Sequence, residues 1–279
     1  MKIIGKDYTR YILLIIVGII IIYPLIWLLL ASFKTNEEIF GVTTSFLPEK
    51  FSLKAYIEGW KGSGQFTYGH FFINTFKLVV PTVVFTVASS VLVAYGFARF
   101  KFPFKKILFA IMISTLMLPN AVIIIPRYIL FKNLGWLDTY YPFIVPAVFA
   151  CFPFFIFLVV QFIRGLPKEL DESAFLDGCN SFTILTKILL PLCKPAIFSV
   201  ALLQFIWTWN DFLDSLIFIN SIKKFTLTLG LRMSLDAQAA VNWDQIMAMA
   251  TLTIVPCIVL FFFAQKYFVE GIATTGLKG

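Results

Sequence analysis

The sequence predicts an all-α integral membrane protein with six transmembrane helices. Of its 279 residues, 59% are hydrophobic and only 14% are charged. Soluble domains are near half apolar and about a quarter charged, so this composition is typical of membrane proteins. Two further observations support the prediction: the hydrophobic residues form long runs without charge, and the lysines and arginines are concentrated on one side of those runs.

The transmembrane helices are predicted from runs that lack Asp, Glu, Lys and Arg. A helix needs about 20 mostly apolar residues to cross about 30 Å of hydrocarbon. The runs of this length are 11–33, 78–98, 107–126, 139–163 and 245–265. A sixth span, 195–222, contains Asp211 and Asp214, and we include it because its apolar character resumes after them. Six crossings place both termini on the same side.

The distribution of positive charge predicts which side that is. The residues on this face are Lys2, Lys6, Arg10, Arg99, Lys101, Lys105, Lys106, Arg164, Lys168, Lys187, Lys194, Lys266 and Lys278, which are 13 of the 23 lysines and arginines. Positively charged short loops lie in the cytoplasm. We therefore expect both termini to be cytoplasmic, in a multi-pass protein of the cell membrane. The formal charge of +8 then reflects topology, and no nucleic-acid partner is expected because no basic run alternates with an aromatic platform.

The first span is expected to be a retained signal anchor. Its apolar stretch is about twice as long as that of a cleaved signal peptide, and no cleavage site of small residues follows it. The four cysteines predict no disulfide framework, because none of them lies in an outer loop. A metal site is not expected either, since His70 is the only histidine and no cysteine pair has ligand spacing.

The sequence contains none of the common local motifs of catalysis. It lacks the phosphate loop G-x-x-x-x-G-K-[ST], the zinc motif H-E-x-x-H and the nucleophile motif G-x-S-x-G. A membrane enzyme with a scattered site would place several ionisable groups at bilayer depth, and only Asp211 and Asp214 approach such a position. We therefore expect a protein that is not an enzyme and that binds no cofactor itself.

The longest polar interruption in the second half of the chain is 166–195, LPKELDESAFLDGCNSFTILTKILLPLCKP. Pro167 suits the first turn of a helix, and the acidic residues after it complement the positive end of the helix dipole. Gly178 suits the left-handed position after the helix end, and either residue of the pair 180–181 can cap a second short helix that Pro191 ends or bends. Local chemistry alone predicts a well-capped helix-turn-helix at the membrane surface.

The same stretch carries a family motif. ELDESAFLDG followed by ILLPLCKP resembles the E-A-A, three residues, G, nine residues, I-x-L-P signature of permeases of binding-protein-dependent ABC importers. The matching residues are Glu172, Ser173, Ala174, Gly178, Ile188, Leu190 and Pro191. Ser173 departs from the alanine of the family pattern, but serine is small enough to preserve the packing. Further segments between residues 72 and 279 are similar, in order, to carbohydrate-type permeases, and the chain looks like the shorter six-span subunit of the maltose-transporter family.

This resemblance implies a fold and a set of partners. The fold would be the type I transmembrane fold of ABC importers. The chain would act with a second, homologous permease subunit, two ATPase subunits and an extracytoplasmic solute-binding protein, and it would import a sugar, most simply an oligosaccharide. ATP and Mg²⁺ would bind to the ATPase subunits. The loop 164–194 would transmit their movement to the spans, and the loop 220–244 would reach the binding protein.

Two of the spans carry patterns that predict how they pack. Pro119 and Asn120 interrupt the apolar third span, and prolines free backbone carbonyls that need partners, so we expect a kinked helix that faces protein or water along the pathway. In the second span Ser90, Ala94 and Ala98 recur every four residues. Small residues at this spacing predict either close packing against another helix or a face turned to lipid.

The fifth span contains a polar and aromatic cluster with two interpretations. The cluster is Trp207, Trp209, Asn210 and Asp211. If the span begins near Ala196, Asp211 lies about 22 Å along it, past the midplane. Aromatic faces stack on sugar rings and amide or carboxylate groups bind hydroxyls, which suggests contact with a carbohydrate. An aromatic belt with a packing aspartate at the outer interface explains the same residues.

The expected organisation has three parts, and two other functions remain open. Residues 1–70 form the first transmembrane helix and an extracytoplasmic loop, 71–270 form the core permease domain, and 271–279 form a cytoplasmic tail. The first alternative is a permease for glycerol-phosphate-type or other small polar solutes. The second is an ion-driven secondary transporter, which needs paired charges at the midplane and often has inverted repeats that the sequence does not show.

Overall fold

A computed structural model describes residues 4–41, 45–62, 65–235 and 241–276, and the regular elements within these ranges are helical. The α-helices are α1 (Ile4–Ala31), α2 (Asn36–Phe40), α3 (Lys54–Lys61), α4 (Tyr68–Arg99), α5 (Lys105–Ser114), α6 (Asn120–Asn133), α7 (Tyr141–Val148), α8 (Pro153–Gly165), α9 (Glu169–Leu176), α10 (Ser181–Thr183), α11 (Leu190–Leu192), α12 (Lys194–Trp209), α13 (Leu213–Phe218), α14 (Leu227–Leu235) and α15 (Trp243–Gly276). Short 3-10 turns cover Thr115–Met117 and Ile222–Lys224, and a π-helical stretch covers Ile184–Leu189.

The candidate membrane spans are of two kinds. Four are single stretches: Arg10–Ala31, Tyr68–Arg99, Tyr141–Gly165 and Trp243–Gln265. Two are bent pairs of helices: Lys105–Met117 with Asn120–Asn133, and Ser181–Leu192 with Lys194–Trp209. Among the described residues this gives four spans, or six when each bent pair counts as one crossing. All of them follow the order that the sequence predicts.

The first span is apolar around its whole circumference. Ile12, Leu13, Leu14 and Ile15 follow one another in α1, and each is more than half exposed. Successive side chains of a helix are about 100° apart, so four in a row point to every side. A helix that is hydrophobic all round is stable only where its surroundings are apolar, as they are inside a membrane.

The third predicted span, 107–126, is a broken helix rather than the kinked one that the sequence predicts. Leu118 and Pro119 both adopt extended backbone, with ψ of 119° and 140°. Proline pushes the residue before it out of the helical region, so the chain leaves the helix at Leu118. Pro119 then precedes α6, and the two halves meet at 105°.

The fifth predicted span, 195–222, ends earlier than the sequence predicts. α12 stops at Trp209, so Asp211 lies just past the end of this helix and not inside a continuous span that runs to residue 222. Asn210 Nδ2 donates to a carbonyl in the last turn of α12 at 2.8 Å. Asp211 Oδ1 accepts the N–H of Asp214 at 3.2 Å in the first turn of α13. Such side-chain bonds to the backbone compete with helix continuation.

The chain forms two compact units. The first contains Met1–Phe71 and Gly230–Pro256, and the second contains Phe72–Leu229 and Cys257–Gly279. Within the first unit, Asn36 Oδ1 accepts the N–H of Asp244 at 3.1 Å and so joins the start of α2 to the start of α15. The expected boundaries after residues 70 and 270 stay a prediction. Part of the expected tail, 277–279, lies outside the described residues, as does 236–240 of the loop 220–244.

The core of the second unit includes the small face of α4. Ser90, Ala94 and Ala98 are all buried, so this face packs against protein and the alternative that it faces lipid is wrong. Ser89 beside it donates to the carbonyl of Ala147 at 2.6 Å, a hydrogen bond between α4 and α7. Interhelical hydrogen bonds and small residues are the usual means of close helix packing in membranes.

The same core reaches the surface loop between α8 and α12. Its buried side chains come from α4, α8, α9, the π-helical stretch and α12, and they include Val91, Ala94, Phe155, Val159, Ala174, Ile184, Leu189 and Val200. Protein interiors are close-packed and deform little, so a displacement of α9 is passed to the helices around it.

Candidate functional site

The segment 164–194 is a hairpin of short helices with a defined turn. After α9 ends, the N–H of Gly178 donates to the carbonyl of Phe175 at 3.0 Å, and the N–H of Cys179 donates to the carbonyl of Ala174 at 2.9 Å. This pair of bonds is the Schellman arrangement, which needs a left-handed residue. Gly178 supplies it with φ of 81°, as the sequence predicts.

The second half of the hairpin begins at a side-chain cap. Of the two predicted candidates, Asn180 is the cap, because its Oδ1 accepts the N–H of Thr183 at 2.8 Å. The helix then widens into the π-helical stretch before Pro191. Pro191 has no N–H and its ring crowds the carbonyl one turn earlier, which favours a wider turn at this point.

A buried ion pair fixes the hairpin to the membrane helices. Arg99, the last residue of α4, places its Nε 2.9 Å from Asp171 Oδ2, and both side chains are largely buried. Arg99 Nη2 also donates to the carbonyls of Leu166 and Pro167 at 3.1 and 3.3 Å. The guanidinium thus holds both the start of the hairpin and its first helix. The sequence prediction missed this contact, because Arg99 counts there only as a charge that sets topology.

The exposed surface of the hairpin mixes apolar and acidic side chains, and Glu169 and Glu172 of α9 are among the exposed ones. Leu170, Phe175, Leu176 and Phe182 are all exposed, and Leu176 reaches 90%. Large apolar side chains grouped on a surface mark a site of contact with another protein or with lipid.

The motif residues lie on both sides of this hairpin. Ala174 is buried in the core, Ile188 and Leu190 are half-buried against it, and Glu172, Ser173, Gly178 and Pro191 are exposed. α9 packs against the π-helical stretch, so the two halves of the motif are neighbours in space. Ser173 is exposed, so a serine in place of the alanine of the family pattern does not change the packing of the core.

A cavity of about 680 Å³ lies in the second unit where the membrane helices are broken. Leu118 and Asn120 line it from the break between α5 and α6, Cys151 and Phe152 from the break between α7 and α8, and Asp211 from the end of α12. Irregular backbone at membrane depth is tolerated where it lines a water-filled cavity or is buried in protein. The three breaks therefore meet at this cavity, whose lining is mostly apolar with a few polar and charged side chains.

Only some of the predicted pathway residues line this cavity. Those that line it are Asn120, Trp207 and Asp211, and those that do not are Pro119, Trp209 and Asn210. Trp207 is 49% exposed and its ring packs against Phe154. Trp209 is only 1% exposed and stacks on Phe205 with ring centroids 5.1 Å apart, so it is a core residue.

The cavity also contains an ion pair that the sequence prediction missed. Arg127 Nη2 lies 3.1 Å from Asp214 Oδ2, and Nη1 donates to Asn120 Oδ1 at 3.3 Å. The guanidinium lies over the rings of Phe131 and Phe218, at 5.8 and 5.4 Å from their centroids. Arg127 falls just outside the charge-free third span as predicted, so no sequence pattern pointed to a pair with Asp214.

A polar clasp joins two loops of the second unit. Asp138 Oδ1 accepts the N–H groups of Asn220 and Ser221 at 3.0 and 2.8 Å, and Oδ2 accepts the Ser221 hydroxyl at 2.6 Å and pairs with Lys224 at 3.1 Å. Partial burial alone would raise the pKa of Asp138, but the bonds from Ser221, Lys224 and Asn220 outweigh it and lower the pKa to about 2. The clasp holds the loop 134–140 against the start of the loop 220–244.

Comparison with known proteins assigns the family. Residues 87–274 match the profile of the family described as binding-protein-dependent transport system inner membrane component. The chain belongs to this family. It is 34% identical over 273 residues to the probable ABC transporter permease protein YurM of Bacillus subtilis, covering 98% of this chain and 89% of that one. It is also 34% identical over 265 residues to the arabinooligosaccharides transport system permease protein AraQ of Halalkalibacterium halodurans, covering 94% and 93%.

A solved structure supports the same fold. A chain in the crystal structure of a bacterial ABC transporter involved in the import of the acidic polysaccharide alginate aligns with a TM-score of 0.82 at 23% identity, over 94% of this chain and 96% of that one. The prediction of an all-α ABC importer permease with the type I transmembrane fold is therefore confirmed. The protein is a multi-pass membrane component of a transporter. The side on which its termini lie stays a prediction.

Proposed function

We propose that this permease forms, with a second homologous permease subunit, the pathway of a sugar importer in the cytoplasmic membrane. Two separate ATPase subunits, which bind ATP and Mg²⁺, drive it, and an extracytoplasmic binding protein delivers the solute. Several similar permeases are named for sugars: arabinooligosaccharides, α-glucosides and diacetylchitobiose. An oligosaccharide is accordingly the proposed substrate.

The two-sided hairpin at 164–194 carries this proposal. Its inner face belongs to the core through Ala174 and is held by the pair of Arg99 and Asp171, while its outer face presents Phe175 and Leu176. The ATPase subunits would cover the outer face. Closure of those subunits would displace α9, and the close-packed core would pass the displacement to α4 and α8, which shifts the balance between two states of the pathway.

The cavity is the proposed place where solute passes. Its aromatic wall at Trp207 and its polar groups at Asn120, Thr208 and Asp211 match what a sugar requires, because ring faces stack on aromatic side chains and hydroxyls need hydrogen-bond partners. Pro119 would shape this wall by breaking the helix, and Trp209 and Asn210 would position the end of α12.

Replacing Gly178 with valine tests the coupling. Left-handed backbone costs a non-glycine residue about 1 to 2 kcal/mol, and more for a β-branched one, so the Schellman turn should rearrange. An added Cβ at Gly178 meets no atom within 4 Å, so the effect comes from the backbone and not from a clash. We expect Gly178→Val to lower uptake by about tenfold, the equivalent of such a strain, with normal amounts of protein in the membrane.

The readout is import by the complete transporter, with ATPase activity measured alongside. The probes are radiolabelled arabinooligosaccharides, an α-glucoside and diacetylchitobiose. Gly18→Val is the matched control, because Gly18 also has open space around it but lies in the helical backbone of α1, outside the hairpin. Full uptake by Gly178→Val would contradict the role of the hairpin. Import of none of the three probes by the unsubstituted transporter would contradict the proposed substrate.

A further inference from the structure

Three candidate membrane spans have an end beside the start of the hairpin, and these ends belong to the second unit. The span Tyr68–Arg99 ends there, the bent pair that starts with Lys105–Met117 begins there, and the span Tyr141–Gly165 ends there. The guanidinium of Arg164, at the end of the third of these spans, lies 4.8 Å from the ring centroid of Phe109 in the second. The fold thus places the start of α5 next to the end of α8.

Lys105, Arg164 and Lys168 form a cluster of like charge at this place. Arg164 and Lys168 both repel Lys105. Among the described residues, no carboxylate lies within ion-pairing distance of any of the three. Lys101 and Lys106 are exposed close by in the chain and add to the positive field. The chain therefore brings cations together from two segments and supplies no counter-charge for them in its described part.

Neither local helix chemistry nor topology explains this convergence. Lys105 and Lys106 occupy the first turn of α5, which contains no acidic residue. That turn is the positive end of the helix dipole, where a cation is unfavourable. The rule that places positive charge in short cytoplasmic loops depends on the number of cations in a loop, and it does not require them to lie near cations of another loop. An anion from outside the chain would relieve both the dipole penalty and the repulsion.

The segment between the first two of these spans is aromatic as well as basic. Phe100, Phe102 and Phe104 are all exposed, and Phe104 reaches 72%. They alternate with Lys101 and are followed directly by Lys105. Exposed aromatic side chains beside cations, at the end of a span, are typical of a segment that lies in the membrane interface. The anion that a membrane offers at this depth is the headgroup of a phospholipid.

The cations have donors left for such a headgroup. Lys105 Nζ donates one of its three N–H groups to the carbonyl of Phe100 at 2.7 Å, which leaves two. The face of the Arg164 guanidinium lies on the ring of Phe109, and this stacking leaves the N–H groups at its edge for a phosphate. Lys168 is exposed and directly precedes α9.

We propose that Lys105, Arg164 and Lys168 bind the headgroup of an anionic phospholipid at the membrane surface. Basic pockets between the ends of membrane helices are a known kind of site for such headgroups. The bound lipid neutralises the repulsion between the start of α5 and the start of the hairpin, so it links the position of α9 to the composition of the membrane. The inference concerns the chain itself and depends neither on the solute nor on transport.

Photocrosslinking measures whether this site selects an anionic lipid. The complete transporter is placed in nanodiscs of phosphatidylcholine that contain a trace of photoactivatable phosphatidylglycerol or, in a parallel sample, photoactivatable phosphatidylcholine with the same acyl chains. Peptide mass spectrometry gives the crosslink yield in peptides with residues 100–106 or 164–168. This yield is divided by that of the α1 peptide with residues 12–15, which are exposed and uncharged. We expect a ratio of the anionic to the zwitterionic lipid of about tenfold or more at low salt, decreasing toward one as salt screens the charges.

Three single variants and their combination test the named cations. Lys105→Gln, Arg164→Gln and Lys168→Gln should each lower the ratio by up to about fivefold, and the triple variant should bring it to about one. Lys105→Arg combined with Lys168→Arg keeps the charge and should keep the ratio.

The matched control removes the same charge from another exposed part of the chain. It is the triple variant Lys50→Gln, Lys54→Gln and Lys61→Gln, in the first unit. The ratio at residues 100–106 and 164–168 should not change. An equal loss in the control and in the cluster variant would mean that net charge and not a site selects the lipid, which overturns the proposal.

A ratio of about one in the unsubstituted transporter overturns the proposal, and so does a ratio that salt does not change. A high ratio for the permease chain alone, with a ratio of one in the complete transporter, would show that a protein partner covers the cluster, and this also rules out the lipid site. These measurements need no variant, so a misfolded variant leaves the proposal falsifiable. If the import assays fail while the ratios follow the expected order, the proposed function is wrong and the lipid site stands. Normal import with a ratio of one overturns the lipid site alone.

Discussion

Asp171 and Arg99 show how two residues far apart in the chain fix the position of the hairpin 164–194. Their contact is 2.9 Å and both side chains are largely buried. Removing one partner of a buried pair leaves an uncompensated charge, which costs about 3 to 5 kcal/mol, whereas replacing both with apolar residues is often neutral. The main effect of the pair is therefore to hold α9 at one place relative to the end of α4, and its net contribution to the free energy of unfolding is small.

The lowered pKa of Asp138 leads to a prediction about how stability depends on pH. Its pKa of about 2 is below the ordinary 3.8, so it is the folded state that favours the carboxylate. This stabilisation is complete above about pH 4 and is lost as the pH falls from about 4 toward 2. We expect Asp138→Asn to lower the free energy of unfolding by about 1 kcal/mol at pH 7, since the pair with Lys224 is partly exposed.

The measurement is thermal unfolding of the purified protein at several pH values between about 2 and 7. The difference between the unsubstituted protein and Asp138→Asn should shrink below about pH 4 and disappear only below about pH 2. Asp177→Asn, at an exposed position of the hairpin, should show no such convergence. A difference that stays constant across this range would mean that the Asp138 charge does not stabilise the clasp.

At the scale of single elements, the small face of α4 determines how closely its neighbours pack. Ala94 is fully buried in the core that includes Phe155 of α8 and Leu189 of the π-helical stretch. Inserting a larger side chain into such a core costs about 1 to 3 kcal/mol. We expect Ala94→Leu to lower the thermal stability of the protein and to reduce uptake.

The matched control lies on an exposed face of the same helix. Val84 is more than half exposed, so Val84→Leu enlarges a side chain by one methylene without entering the core. It should leave both the unfolding temperature and uptake unchanged. Equal stability of the Ala94→Leu and Val84→Leu proteins would show that α4 and its neighbours are less tightly packed than the structure indicates.

The sequence predicts the helices well where one local rule acts. Charge-free length predicts the first, second, fourth and sixth spans, and the Schellman turn follows from Gly178 because only glycine adopts φ of 81° without strain. Charge-free length does not predict that the other two spans are bent pairs of helices. At Pro119 the sequence predicts a disturbance, but a kink and a break have the same local signal, and the contacts around the cavity decide between them.

In the candidate sites, too, local patterns were found from the sequence and contacts between distant residues were not. The motif from Glu172 to Pro191 is contiguous and was found from its spacing, whereas the pairs Arg99 with Asp171 and Arg127 with Asp214 join residues more than 70 positions apart. A charge at the end of an apolar run has several possible partners, so periodicity cannot choose one. Trp209 is the opposite case, a residue that the sequence suggested for the site and that does not line the cavity. As a tryptophan it suggested contact with a sugar, but the structure places it in the core.

At the scale of the whole molecule, the direction of coupling depends on how many times the chain crosses the membrane. With six crossings, the predicted topology places the hairpin and the C-terminus in the cytoplasm, on the side of the proposed ATPase subunits. The bent pairs decide this number, because a pair can cross the membrane or return to its own side. If the pair of α5 and α6 returned, the hairpin would face outward; if only the second pair returned, the two termini would lie on opposite sides.

Reporters can count these crossings one pair at a time. We expect a fluorescent protein joined after Gly279 to fold and fluoresce, and alkaline phosphatase at the same place to be inactive, because that end is predicted to be cytoplasmic. A membrane-impermeant thiol reagent added to intact cells should leave Cys179 of the hairpin unlabelled and should label it after the cells are opened. Labelling of Cys179 in intact cells would make the first bent pair a re-entrant loop. Active phosphatase after Gly279 with a protected Cys179 would assign the re-entrant loop to the second pair, because the hairpin would then remain inside while the last span ran in the opposite direction.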